Sequence, residues 1–135
     1  MLNVLVLEDQ PGWEALLANA VRNSRLPECR ICRASTYAEA VRLIREQQFR
    51  VALLDYVIER AGPEGPKTGL DVAAELRVSS PTAIILLITL VDPDRVRSRC
   101  DELRVRLVEK GSADLENEVI REITEGLARN AAARR

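Results

Sequence analysis

The sequence has no histidine and only three cysteines in 135 residues. Because three is an odd number, Cys29, Cys32 and Cys100 cannot close into a complete disulfide framework, which indicates a reducing compartment and predicts a cytoplasmic protein. Cys29 and Cys32 have Cys-x-x-Cys spacing, but no second pair and no histidine is present to complete a zinc site. Residues three apart on a strand also face opposite sides of a sheet, so we interpret both cysteines as structural.

The sequence also lacks an excess of charge of either sign, with 20 basic and 21 acidic residues and a formal net charge of −1. This balance disfavours direct binding to nucleic acid, because such binders present a basic surface that neutralises phosphates. No apolar run approaches the roughly 20 residues that a membrane-spanning helix needs, and the N-terminus lacks the pattern of a signal peptide. We therefore predict neither membrane insertion nor export.

The remaining composition, 47% hydrophobic and 30% charged, is typical of a soluble globular protein. A length of 135 residues fits one ordinary domain with a substantial core. We assign residues 1–130 to this domain and the alanine- and arginine-rich residues 131–135 to a C-terminal tail.

Short apolar runs are spaced along the whole chain. Three of them are nearly continuous in Val, Ile or Leu, as in parallel strands that are buried on both faces. Two weaker candidates alternate apolar and charged residues, as on a partly exposed edge. The predicted strands are Val4–Leu7, Cys29–Ala34, Val51–Leu54, Ile84–Ile88 and Arg104–Val108.

A helical pattern follows each of these strands. The first, second and last are amphipathic with a 3.6-residue period, whereas those that begin near Gly69 and Pro93 are less regular. Their start signals include Thr36 with Glu39 and Thr68 with Asp71, which have capping-box spacing, and Asp92, which precedes a proline. Strict alternation of strand and helix predicts an α/β fold in which a parallel five-stranded sheet lies between two layers of helices.

Polar residues stand where the predicted strands end. Glu8 and Asp9 follow the first strand, Asp55 the third, Thr89 the fourth and Lys110 the fifth. Ligands of open parallel sheets bind beyond these carboxyl ends. Three converging carboxylates would repel one another unless a cation such as Mg²⁺ neutralises them. With Lys110 and Thr89 available to meet the charge of a phosphoryl group, Asp55 is left as the nucleophile.

In the order and spacing of these residues, the sequence resembles the receiver family of bacterial response regulators over essentially its whole length. The shared pattern comprises Glu8-Asp9 after Val-Leu-Val-Leu, Asp55 after Val-Ala-Leu-Leu, Gly69-Leu70-Asp71 at the start of the third helix, Thr89 and Lys110. The resemblance implies a (βα)5 flavodoxin-like three-layer sandwich with strand order 2-1-3-4-5.

The resemblance also implies a stand-alone receiver of a two-component system, a phosphoacceptor signalling domain rather than an enzyme for an external substrate. Asp55 would accept a phosphoryl group from a sensor histidine kinase or a histidine phosphotransfer protein, and Thr89 and Lys110 would contact that group. The implied Mg²⁺ ligands are Glu8, Asp9, Asp55 and the backbone carbonyl of Val57. A downstream protein target would receive the signal, and a homodimer is left open.

The sequence departs from the family pattern close to the site. Leu90 stands where a small residue usually follows the threonine, and Leu107 replaces an aromatic switch residue. Gly111 replaces the proline after the lysine, which predicts a glycine-specific backbone path. Leu90 and Leu107 favour an alternative function, a degenerate receiver that acts as a docking or dimerisation module without phosphorylation. The intact set of site residues opposes it.

Three further features lead to smaller predictions. Val57 and Val91 cannot orient a hydrolytic water by hydrogen bonding, which predicts slow loss of the phosphoryl group. Segment 58–68 is longer than the usual connection. It shapes partner choice, shields a phosphorylated Asp55, or is a tolerated surface insertion. Trp13 lies on the apolar stripe of the first helix, and we interpret it as a packing residue without a functional role.

Overall fold

The structure, a computed structural model, describes residues 1–58 and 65–133. Within these residues five strands alternate with five helices. The strands are β1 (Leu2–Leu7), β2 (Cys29–Ala34), β3 (Val51–Asp55), β4 (Ile84–Thr89) and β5 (Arg106–Glu109). The helices are α1 (Pro11–Asn23), α2 (Tyr37–Glu46), α3 (Gly69–Ser79), α4 (Pro93–Leu103) and α5 (Leu115–Ala133).

All the strands are parallel and lie in the order β2-β1-β3-β4-β5, which confirms the predicted topology. The chain runs outward from β1 to β2 and then returns past β1 to β3. The direction of winding therefore reverses between β1 and β3, and the carboxyl ends of these two strands are where open parallel sheets bind their ligands.

The core consists of two apolar clusters, one on each face of the sheet. The first cluster packs α2, α3 and α4 against one face, and the second packs α1 and α5 against the other. Successive strand residues alternate between the clusters, with Leu54 in the first and Leu53 in the second. Every residue of β3 and β4 is buried, as the continuous apolar runs predicted.

The two cysteines of the Cys-x-x-Cys pattern lie on opposite faces of β2. Cys32 packs against the first cluster and Cys29 against the second. Both are free thiols, and the Cys32 sulfur donates a hydrogen bond to the Gln47 side chain at 3.6 Å. Their placement confirms that the pair does not converge on one metal ion.

Predicted side-chain caps fix the starts of three helices. The Thr36 hydroxyl accepts a hydrogen bond from the Glu39 N–H at 3.1 Å at the start of α2. At the start of α3 the Thr68 N–H donates to the Asp71 carboxylate at 2.7 Å, which completes a capping box. Asp92 caps α4 by accepting from the backbone N–H two residues later at 3.0 Å. These caps satisfy backbone donors that the first turn of a helix leaves free.

The predicted start of β5 was wrong by two residues. Arg104 was placed in the strand, but it is the C-cap of α4 and has a left-handed backbone conformation with φ of 57°. A positive φ ends both helix and strand, and the alternation of apolar and charged residues across this junction concealed the boundary.

The predicted tail and the predicted insertion both extend beyond the described residues. Helix α5 continues to Ala133, so the boundary at residue 130 stays a prediction. Residues 59–64 of segment 58–68 are outside the described part of the chain, whereas its base is fixed by an antiparallel bridge between Val57 and Thr68. No helix within residues 1–58 and 65–133 has the length and apolar character needed to span a membrane.

We predict that Gly69→Ala destabilises the fold. A β-carbon on Gly69 would collide with the backbone carbonyl of Asp55 and lie 3.2 Å from Leu87 Cδ1. Because the colliding atom belongs to a buried strand, the expected loss in free energy of unfolding is about 1–3 kcal/mol, measured by urea denaturation.

The matched control for this prediction is Gly12→Ala in α1. A β-carbon on Gly12 would meet no other atom of the described residues within 4 Å. Alanine has the higher helix propensity, so this variant is expected to be as stable as the wild type or more stable by about 0.5–1 kcal/mol. Equal unfolding midpoints for the two alanine variants would contradict the proposed steric role of Gly69.

Candidate functional site

The fold brings Glu8, Asp55 and Lys110 together at the carboxyl edge of the sheet. Glu8 directly follows β1, Asp55 is the last residue of β3, and Lys110 directly follows β5. The Lys110 Nζ lies 2.8 Å from Glu8 Oε2 and 3.2 Å from Asp55 Oδ2. One buried ammonium therefore bridges two carboxylates that are far apart in sequence.

Glu8 connects this ion pair to the start of α1. Its side chain is fully buried, one carboxylate oxygen accepts from Lys110, and the other accepts from the Gln10 N–H at 3.2 Å. Gln10, rather than Asp9, is the N-cap residue of α1. Asp9 therefore does not act as the cap of this helix.

The third carboxylate completes an oxygen-rich group. Ligand atoms of Glu8, Asp9 and Asp55 all lie within 4.8 Å of one another. Opposite oxygens around Mg²⁺ are about 4.2 Å apart and around Ca²⁺ about 4.8 Å, twice the respective metal–oxygen distances. Three carboxylates face one ammonium, so the group carries excess negative charge. Its oxygen donors, spacing and charge all suit a hard divalent cation.

For each of the three paired side chains, burial and the contact with its partner shift the pKa in opposite directions. Burial raises the pKa of Asp55, although the charge and hydrogen bond of Lys110 act against this rise. Burial likewise raises the pKa of Glu8 against the hydrogen bond from Lys110. For Lys110, burial favours the neutral amine, but the hydrogen bond to Glu8 and the charge of Asp55 together raise its pKa. The ammonium is thus held protonated between carboxylates whose ionised forms the fold disfavours.

Thr89 lies beside Lys110 at the end of β4. Its carbonyl accepts the Lys110 backbone N–H at 2.9 Å, and its buried hydroxyl accepts from the Val91 N–H at 2.9 Å. Across the ladder Asp55 pairs with Ile88, the residue before Thr89. A hydroxyl that accepts one hydrogen bond still has a proton to donate to an anion.

The backbone after Asp55 also faces the site. The Val57 N–H donates a hydrogen bond to the Asp55 carboxylate, which favours its ionised form, and the Val57 side chain is 48% exposed. The predicted contribution of the Val57 carbonyl to a metal site stays a prediction.

The positions that depart from the family pattern occupy distinct surroundings. Leu90 is 72% exposed and lies against Gly111, and Leu107 is partly buried against the first core cluster. The predicted glycine-specific path at Gly111 was wrong, because its φ is not positive. The backbone there follows a path that other residues can adopt.

One contact of the site was missed by the sequence reasoning. The indole ring of Trp13 lies over Lys110, with Nζ 4.8 Å from the ring centroid. Trp13 also packs against the second core cluster, so its predicted packing role is confirmed. Its lack of a functional role stays a prediction, and its contact with Lys110 was not predicted. Its place in the first turn of α1, four residues after Asp9, was the available signal.

No protein-family model matches the sequence, and no curated protein matches it. Solved structures do match it over nearly its whole length. A CheY-like response regulator receiver domain protein from Methanospirillum hungatei JF-1 superposes with a TM-score of 0.80 at 13% identity, covering 98% of each chain. A receiver domain protein from Clostridium thermocellum has a TM-score of 0.77 at 15% identity, covering 98% of this chain and 99% of that one.

A third match is a response regulator from Burkholderia pseudomallei, whose structure contains a phosphorylated aspartic acid, a calcium ion and citrate. It has a TM-score of 0.72 at 19% identity and covers 98% of this chain and 73% of its own. At sequence identities this low, the structural similarity is evidence for a shared fold. The chain has the fold of response regulator receiver domains, as its sequence pattern predicted.

The geometry predicts opposite effects of two substitutions on stability without added metal at pH 7. Lys110→Met would leave Glu8 and Asp55 buried without their cation, and we expect a loss of about 3–5 kcal/mol. Asp55→Asn would remove one of three carboxylates, and we expect a higher urea midpoint than in the wild type. Because the folded-state pKa of Asp55 is raised, ionisation opposes folding above that pKa.

The pH dependence separates this electrostatic effect from packing. The advantage of Asp55→Asn should shrink as the pH falls towards 3.8, the ordinary value, where Asp55 is increasingly protonated in both folded and unfolded states. An advantage that is independent of pH would contradict the charge argument.

Proposed function

We propose that this protein is a phosphoryl-accepting receiver domain of a two-component signalling system, with Asp55 as the acceptor. The observation that carries the proposal is the convergence of Glu8, Asp9, Asp55 and Lys110 at the strand-order reversal. A nucleophilic carboxylate, a fixed cation and further oxygen ligands are the groups that phosphoryl transfer requires.

In the proposed reaction, an Asp55 carboxylate oxygen attacks the phosphorus of a phosphohistidine. The phosphorus–nitrogen bond breaks, an acyl phosphate forms on Asp55, and the histidine nitrogen leaves with the bonding electron pair and takes up a proton. Lys110, 3.2 Å from Asp55, is placed to meet the negative charge of the transferred group. The Thr89 hydroxyl is proposed to donate a hydrogen bond to the same group.

The residues present fit a divalent cation, proposed to be Mg²⁺, held by Glu8, Asp9, Asp55 and the Val57 carbonyl. When bound, the ion would neutralise the carboxylates and the phosphoryl oxygens. The calcium ion and phosphorylated aspartate of the Burkholderia response regulator support this assignment by analogy of fold.

The proposed donor is a sensor histidine kinase or a histidine phosphotransfer protein in the cytoplasm, and the proposed output is contact with a downstream protein. Val57 and Leu90 are large apolar residues exposed near the site. Their exposure is what favours the second candidate function, a docking or dimerisation module that works without phosphorylation.

Phosphorylation of the purified protein distinguishes the two functions. With Mg²⁺ and acetyl phosphate, we expect intact mass spectrometry to detect one added phosphoryl group on the wild type and none on Asp55→Asn. The control Asp94→Asn removes an exposed carboxylate that pairs with Arg97 on α4, and it should be phosphorylated like the wild type. If the wild type stays unmodified at saturating Mg²⁺, the proposal that Asp55 is a phosphoacceptor is rejected and the docking module is favoured.

We also expect the phosphorylated protein to lose its phosphoryl group slowly, because Val57 and Val91 offer no side-chain hydrogen bond to an attacking water. Val57→Gln places an amide at an exposed position beside Asp55 and should shorten the lifetime of the acyl phosphate. The measurement is loss of the phosphorylated mass with time. A wild-type lifetime of seconds, or one that Val57→Gln leaves unchanged, would contradict this account.

A further inference from the structure

We propose that Trp13 is a positioning residue for Lys110, whose indole face fixes the ammonium between Glu8 and Asp55. The proposal rests on the proposed receiver function for its consequence in phosphoryl transfer, but the interaction itself is a property of the fold. The chain contains one tryptophan, so the assignment concerns a unique side chain.

The geometry around the ammonium supports this role. Lys110 Nζ is 2.8 Å from Glu8, 3.2 Å from Asp55 and 4.8 Å from the centroid of the Trp13 ring. Cation–π contacts extend to about 6 Å, and tryptophan is the strongest partner for them. Two carboxylates and one aromatic face thus account for three directions around the nitrogen.

Burial strengthens the contact. The Lys110 side chain is only 6% exposed, so little water competes with the indole for the ammonium. Cation–π attraction is strongest in such desolvated settings. By contrast, a flexible lysine in water would sample many rotamers and would seldom lie between both carboxylates.

The start of α1, which carries Trp13, is attached to the carboxylate that binds the lysine. Glu8 accepts from Lys110 with one oxygen and from the N-cap residue Gln10 with the other. The next residue after Trp13, Glu14, forms an ion pair with Arg33 of β2 at 3.1 Å. The first turn of α1 is therefore attached to the sheet on both sides of Trp13, which keeps the indole over Lys110.

A purely structural role would give a different result. Trp13 packs against the second core cluster, so loss of the ring will reduce stability whether or not it positions Lys110. The decisive readouts are those that depend on Lys110 itself. A matched control is Tyr37→Leu, which removes another ring that faces a lysine, with Lys67 Nζ 5.3 Å from its centroid.

The first experiment compares phosphorylation rates with acetyl phosphate and Mg²⁺, using variants whose folding is verified by urea denaturation. We expect Trp13→Leu to react about tenfold more slowly, Trp13→Phe to retain most of the rate because it keeps an aromatic face, and Tyr37→Leu to react like the wild type. A wild-type rate in Trp13→Leu, or equal losses in Trp13→Leu and Trp13→Phe, would overturn the proposal.

The second experiment does not require phosphorylation, so it separates failure of this proposal from failure of the proposed function. A double-mutant cycle combines Trp13→Leu with Lys110→Met and measures the free energy of unfolding. We expect Trp13→Leu to destabilise the wild type more than it destabilises Lys110→Met, because the cation is already absent from the latter. Additive effects would overturn the coupling even if Asp55 is phosphorylated.

If Lys110→Met fails to fold, the proton resonances of the Lys110 side chain provide the same test in the folded wild type and Trp13→Phe. Under the proposal, the indole ring current shifts the resonances next to Nζ upfield in the wild type, and the smaller ring of Trp13→Phe reduces the shift. Resonances at ordinary positions in the wild type would show that the ring does not lie over the ammonium.

Discussion

The contact on which the site depends is the buried ammonium of Lys110 between Glu8 and Asp55. Ionised carboxylates that are buried at the end of the sheet, as Glu8 and Asp55 are, are costly, and their attraction to Lys110 offsets part of this cost. The offset is incomplete, because burial still raises the pKa of both carboxylic acids. Lys110 alone therefore does not neutralise the carboxylates of the site, and a divalent cation can supply the missing positive charge.

The strands and the segments that follow them determine where the charged groups of the site lie. The fully buried strands β3 and β4 carry Asp55 and Thr89 at their ends, whereas the segments that follow β1 and β5 supply Glu8 and Lys110. A phosphoryl group on Asp55 would add negative charge next to Lys110. The Lys110 ammonium that stabilises the free carboxylates is thus also placed to stabilise the proposed phosphorylated state.

The sequence by itself determined the main elements of the fold and the membership of the acidic site. Continuous apolar runs identified β3 and β4, because strands buried on both faces admit few polar residues. Cap residues located the starts of α2, α3 and α4, because capping depends on neighbours only a few positions away. Asp55 and Lys110 could be placed at one edge because parallel strands all end there.

Only the tertiary structure decided how groups from different elements meet. The approach of α1 to the end of β5 sets the indole of Trp13 over Lys110, and no local pattern in either segment encodes that approach. The left-handed conformation at Arg104 and the absence of a positive φ at Gly111 were likewise not predicted, because neither residue type specifies the backbone conformation that it adopts here. Periodicity and caps act over a few residues, whereas contacts between layers depend on how the whole sheet twists and packs.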